Sequence, residues 1–192
     1  MKETVDAFYD ISTSGRGKTL LAGDARELAA ALGGFFSPGP GISTDIVICL
    51  DTTESMQASL DALRADAPAL LKALFAGSGS RRIGLILYRD YFEEYLTRRV
   101  DFVETATEFL AQLDEVRVAG GRDLPEAVYE GLYAALTEFP WSADKKVIVL
   151  VGDAPPHPLP RGAIDRDSVV EAASKEGVEL DAVVLPHPGQ DQ

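Results

Sequence analysis

Asp51, Thr53 and Ser55 occupy alternate places at the end of the run Asp45-Ile-Val-Ile-Cys-Leu-Asp-Thr-Thr-Glu-Ser-Met56. A carboxylate and two hydroxyls so spaced can converge on one point where the chain turns. Carboxylates, hydroxyls and water are hard oxygen ligands, a set that selects Mg²⁺ or Mn²⁺, admits Ca²⁺ and disfavours zinc or copper. The alternative is that Thr53 or Ser55 simply caps the helix that follows. Two further segments offer carboxylates in comparable settings. Gly120-Gly-Arg-Asp-Leu-Pro-Glu126 places Asp123 and Glu126 around a helix start, and Val149-Leu-Val-Gly-Asp153 ends a second apolar run in an acid.

These acids need elements to position them. Five of the six residues from Ile46 to Asp51 are apolar, which predicts a buried central strand with Asp51 at its carboxyl end. Arg82 to Asp90 and Lys146 to Val151 read as two more buried strands, and Val178 to Leu185 as a last one. Tyr95 to Val100 suits an exposed edge strand paired with the second by a hairpin. Helices are expected from Met56 to Leu74, broken or kinked at Pro68, from Thr105 to Leu113, from Pro125 to about Glu138, and from Asp165 to Glu176, stopped by Gly177. Residues 1–44 read as an N-terminal extension and linker, polar at first, with a short helix near Asp24 to Leu32. Residues 45–192 read as one domain.

Strands separated by helices imply a doubly wound three-layer α/β/α sandwich, mostly parallel with one antiparallel edge strand. The simplest order sets the Ile46 strand in the middle, between the Ile83 and Val147 strands. Asp51 and Asp153 then flank the point where strand order reverses, the crevice in which open α/β sheets bind ligands.

The 31 acidic residues against 18 basic give a net charge of −13, which disfavours nucleic acid and anionic membranes and leaves proteins or cations as partners. No stretch reaches the roughly 20 apolar residues of a membrane span. The lone Cys49 excludes an internal disulfide and fits a cytoplasmic setting. Ser12-Thr-Ser-Gly-Arg-Gly-Lys-Thr19 imitates a phosphate-binding loop but lacks the first glycine and a preceding buried strand. Arg89 and Asp90 read as a surface ion pair, the alternative being a ligand-contact role, and His157 as a loop-ordering hydrogen-bond partner. Tyr91, Phe92 and Tyr95 are expected beneath the hairpin, the alternative being an aromatic rim to the site.

Three segments in this order resemble a von Willebrand factor A domain with a metal-ion-dependent adhesion site. Asp51-Thr-Thr-Glu-Ser55 matches the family's Asp-x-Ser-x-Ser motif, with threonine in the first hydroxyl place and Glu54 where bacterial relatives usually carry glycine. Asp123-Leu-Pro-Glu126 resembles a stretch of integrin β-subunit domains in which the glutamate binds the central metal and the aspartate helps an adjoining one. Asp153-Ala-Pro-Pro-His157 is close to a segment of bacterial and α-kinase-linked members.

The resemblance implies a Rossmann-like fold and a non-enzymatic, metal-dependent protein-interaction module. Asp51, Thr53, Ser55, Asp123, Glu126 and Asp153 would serve the metal, and an acidic side chain of a partner would complete its coordination. By analogy that partner is a chaperone-like ATPase or a signalling kinase. The extra acids make the site hold metal better and attract a carboxylate less. The family sheet carries a sixth strand and closing helix; residues 1–44 are expected to supply that cover, the alternative being a domain short of both. A Mg²⁺-dependent phosphohydrolase using Asp51 and Asp153, and a metal-free interaction domain, are the competing readings.

Overall fold

The computed structural model describes residues 1–36, 39–121 and 124–188. Its centre is a six-stranded sheet of β1 (Arg16–Leu21), β2 (Thr44–Asp51), β3 (Arg81–Tyr88), β4 (Thr97–Val103), β5 (Lys145–Gly152) and β6 (Glu179–Val184), in the order β1-β6-β5-β2-β3-β4. All pairings are parallel except β3 with β4. The helices are α1 (Lys2–Ser14), α2 (Leu28–Phe35), α3 (Gln57–Phe75), α4 (Ala106–Glu115), α5 (Val128–Glu138) and α6 (Arg166–Glu176).

Every residue of β2 is buried, as its unbroken apolar run requires of a strand covered on both faces. Its side chains alternate between two cores. Ile46, Ile48 and Leu50 pack with Leu60, Leu63, Leu71 and Phe109 from α3 and α4, whereas Val47 and Cys49 pack with Phe8 and Ile11 of α1 and Leu132 of α5. The sheet is thus the middle layer of three.

The chain before β2 enters this architecture more deeply than its composition suggests. Gly15, Gly17 and the intervening arginine hide a strand: β1 runs parallel to β6, with Leu20 opposite Val183 and Leu21 opposite Val184. Its polar residues are paid for locally, Lys18 N–H donating to Asp181 at 2.8 Å and Ser12 bonding Thr19 at 2.7 Å. At Gly17 a Cβ would fall 2.7 Å from Asp181 Oδ1, so only glycine lets the two backbones approach. The segment that imitates a phosphate loop is therefore the junction of α1 and β1.

Neither a helix split at Pro68 nor a helix start at Pro125 is found. One helix runs through Pro68, which is exposed, so that water can serve the Arg64 carbonyl its missing N–H leaves free. Pro125 does not open α5, which begins at Val128. The Glu126 N–H donates to the Pro155 carbonyl at 3.0 Å and the Ala127 N–H to the Arg89 carbonyl at 3.1 Å, so these residues are spent on loop contacts before a helix can form.

Candidate metal site at the carboxyl edge of the sheet

β2 and β5 are neighbours in register, which brings their carboxyl ends together. Asp51 closes β2, and Asp153 follows the last residue of β5; each is 1% exposed. Past Asp51 the chain alternates. Thr52 turns toward β3, its N–H and hydroxyl both donating to the Tyr88 carbonyl at 3.0 Å and its oxygen meeting Tyr95 Oη at 2.8 Å. Thr53 and Ser55 therefore turn the other way. The Thr53 hydroxyl donates to Asp51 Oδ1 at 2.7 Å, backed by its own N–H at 2.9 Å, and stands 3.1 Å from Ser55 Oγ. Ser55 in turn donates to Asp153 Oδ1 at 3.1 Å. Neither hydroxyl caps a helix start.

Four of the six residues expected at the site, Asp51, Thr53, Ser55 and Asp153, thus form one chain of oxygen contacts. Glu126 lies on a third loop nearby, without coming together with the two aspartates as a third carboxylate. It is 2% exposed, and its backbone pairs with Pro156, three residues beyond Asp153. A Cβ on Gly121, whose φ is +81°, would stand 2.9 Å from Thr53 Cβ and 3.6 Å from Glu126 Oε1, so this glycine lets the loop close on the β2 turn. Ala119 N–H donates to the Thr52 carbonyl at 3.0 Å and fastens the same loop. Asp123 lies outside the described residues.

The electrostatics are those of two buried acids that disfavour each other's ionisation. Burial, then the neighbouring charge of Asp153, push the Asp51 carboxyl up to about 7, against the pull of the Thr53 hydrogen bonds and Arg89. Burial also raises Asp153, opposed by Ser55. Asp51 Oδ2 and Asp153 Oδ2 are buried with no hydrogen-bond donor among the described residues, a costly state for carboxylate oxygens. A hydroxyl that donates to a carboxylate keeps its lone pairs, so Thr53 and Ser55 could still act as ligands. The donor set fits a hard divalent ion. Among the described residues, no three acidic, histidine or cysteine side chains come together as a metal cage, so two carboxylates and two hydroxyls are the set to consider.

Around this cluster lies a shell that the sequence misassigned. Arg89 and Asp90 are 2% and 3% exposed and are not a surface ion pair. Arg89 donates to the Arg117 carbonyl at 2.8 Å and lies over the Tyr95 ring, while Asp90 bonds His157 Nε2 at 2.5 Å and Arg161 at 3.5 Å. The position after a buried strand placed them under the loops, where each must find separate partners. His157 does order its loop through a hydrogen bond. Phe92 is 94% exposed instead of packing beneath the hairpin.

Fold and crevice together define a doubly wound α/β domain with an oxygen-rich site where strand order reverses. Residues 45–175 match the family model of the von Willebrand factor A domain, and the chain belongs to that family. It is 27% identical over 113 residues to a putative ariadne-like RING finger protein, R811, of Acanthamoeba polyphaga mimivirus, a match covering 59% of this chain and 11% of that protein. Among solved structures it resembles the pilus adhesin SpaC of Lactobacillus rhamnosus GG, with a TM-score of 0.53 at 15% identity over 77% of this chain and 25% of that one. It also resembles proximal thread matrix protein 1 of the mussel byssus, with a TM-score of 0.52 at 17% identity over 73% of this chain and 35% of that one. The chain spans only a fraction of each relative's length. Von Willebrand factor A domains are typically protein-interaction modules. No described helix is long and apolar enough to cross a membrane.

Proposed function

We propose that this chain is a non-enzymatic protein-interaction module that binds its partner through Mg²⁺ or Mn²⁺ held by Asp51, Thr53, Ser55 and Asp153, with Glu126 beside them. The observation that carries this reading is the pair of buried outer oxygens, Asp51 Oδ2 and Asp153 Oδ2, which have no donor among the described residues. When bound, the ion supplies a Lewis-acidic position that a partner's carboxylate completes. The chain's own residues do the rest: Thr53 and Ser55 orient the two aspartates, and Gly121 lets the Glu126 loop close over them. The partner is a protein, an ATPase or kinase of the class the resemblance implies, met in the cytoplasm. A phosphohydrolase using the same acids would need a cation to steady phosphate. Lys145 and Lys146 begin β5 at the opposite end from Asp153, and Lys146 is engaged with the Glu176 carbonyl.

Calorimetric titration with Mg²⁺ and Mn²⁺ tests the reading. A saturable heat and a rise in melting temperature are expected, both abolished by Asp51→Ala. No heat and no thermal shift at millimolar metal would overturn it. Turnover of a phosphomonoester that disappears in Asp51→Ala would replace it with the hydrolase.

A further inference from the structure

Three large apolar side chains stand exposed on loops at the same edge of the sheet as the acid cluster. They are Phe92 at 94%, Leu159 at 80% and Leu124 at 44% exposure. Phe92 lies between Tyr91, whose ring meets that of His157 edge-on at 5.9 Å, and Glu93, whose carboxylate abuts Gly120. Leu159 is two residues beyond His157, and Leu124 two before Glu126. Each loop is thereby tied to the crevice. Phe92 also adopts φ +69°, a left-handed conformation that bulky residues avoid. The chain holds an aromatic ring in water on a strained turn, a combination that belongs with ligand contact more than with packing.

The charges between these groups are one-sided. Glu54 is exposed and Glu93 half-buried, and neither has an ion-pair partner among the described residues. Among the described residues, Arg98 is paired with Glu94 and Arg161 with Asp90. With a net charge of −13 behind it, this rim favours a cationic visitor.

We propose that the rim docks a partner-protein segment in which apolar side chains flank a carboxylate and a lysine or arginine stands close by. The apolar groups cover Phe92, Leu159 and Leu124, and the cation faces Glu54 and Glu93. The carboxylate rests on the metal reading above; the apolar and cationic contacts do not.

Selection of a random short-peptide display library on the full chain in Mg²⁺ tests this. Enriched peptides should combine apolar residues, an acid and a lysine or arginine. Their affinity should fall roughly tenfold or more on Phe92→Ser and several-fold on Leu159→Ser, the size expected of an exposed aromatic anchor. Both variants should keep the calorimetric response to Mg²⁺. Phe92→Gly should lose peptide affinity without any drop in melting temperature, because glycine accepts the positive φ that phenylalanine resists. A purely structural ring would show the reverse. Peptides indifferent to Phe92 and Leu159, or a library with no binder, would overturn the proposal. So would concentration-dependent dimerisation of the wild type abolished by Phe92→Ser, which would make a second copy the occupant. Peptides that need Phe92 and Leu159 in a protein with no Mg²⁺ response would uphold the rim and remove only the metal reading.

Discussion

Asp51 concentrates the physics of the site in one side chain. Its folded-state pKa of about 7 lies above the ordinary 3.8, so the folded chain holds this proton more tightly than the unfolded one. The contribution of Asp51 to stability in the metal-free protein is then greatest below its unfolded pKa of about 4, falls as pH rises toward 7 and levels off above. Thermal melts in EDTA across that range should show the decline. Asp51→Asn should flatten it and raise the metal-free melting temperature at neutral pH, while removing the response to Mg²⁺. A lower melting temperature in that variant would show the carboxylate to be a structural group. Gly152 is as tightly constrained. A Cβ there would fall 2.5 Å from Tyr88 Oη, itself buried without a hydrogen-bond partner among the described residues. Gly152→Ala should cost about 1–3 kcal/mol in chemical denaturation, and Tyr88→Phe in the same chain should recover part of it.

At the scale of elements, Asp45 fastens the amino ends of the central strands as firmly as Asp51 disturbs the carboxyl end. It is 1% exposed. Arg82 grips it with two bonds at 2.8 and 2.7 Å, and the Ser142 and Ala143 N–H groups donate at 2.9 and 3.0 Å. Burial opposes its ionisation, yet these donors overcome burial and hold its pKa below the usual value. Its stabilisation is present at neutral pH and is lost as pH falls through the folded pKa. Asp45→Ala should destabilise by roughly 3 kcal/mol, read as a lower denaturation midpoint, because it strands a guanidinium and two N–H groups. The strand that bears Asp45 was legible from its apolar run, since burial on both faces writes itself into every residue. β1 was not: Arg16-Gly-Lys-Thr-Leu-Leu21 is an edge strand whose partners, Asp181 and β6, lie at the far end of the chain.

Across the whole molecule, the amino-terminal segment completes the layer on one face of the sheet. Phe8 and Ile11 of α1 are 0% and 1% exposed, and the Phe8 ring would lie 3.4 Å from a Cβ on Gly152, immediately before Asp153. Phe8→Ala should therefore cost about 3–5 kcal/mol by leaving a cavity between α1 and the sheet, checked by the denaturation midpoint. The order β5-β2-β3-β4, the three-layer architecture and the meeting of the β2 and β5 ends followed from the sequence alone, because alternating apolar runs and amphipathic helices admit few right-handed windings; the places of β6 and β1 did not. So did the convergence of Asp51, Thr53, Ser55 and Asp153, since oxygen-bearing side chains at and just past strand ends are local properties; Glu126 entered only through the family resemblance. Only the tertiary structure decided which carboxylate oxygens go without a donor among the described residues, that Arg89 and Asp90 are buried and serve separate partners, and that Phe92 faces water. Each of these depends on what packs against a residue from loops distant in sequence, and neither spacing nor composition carries that information.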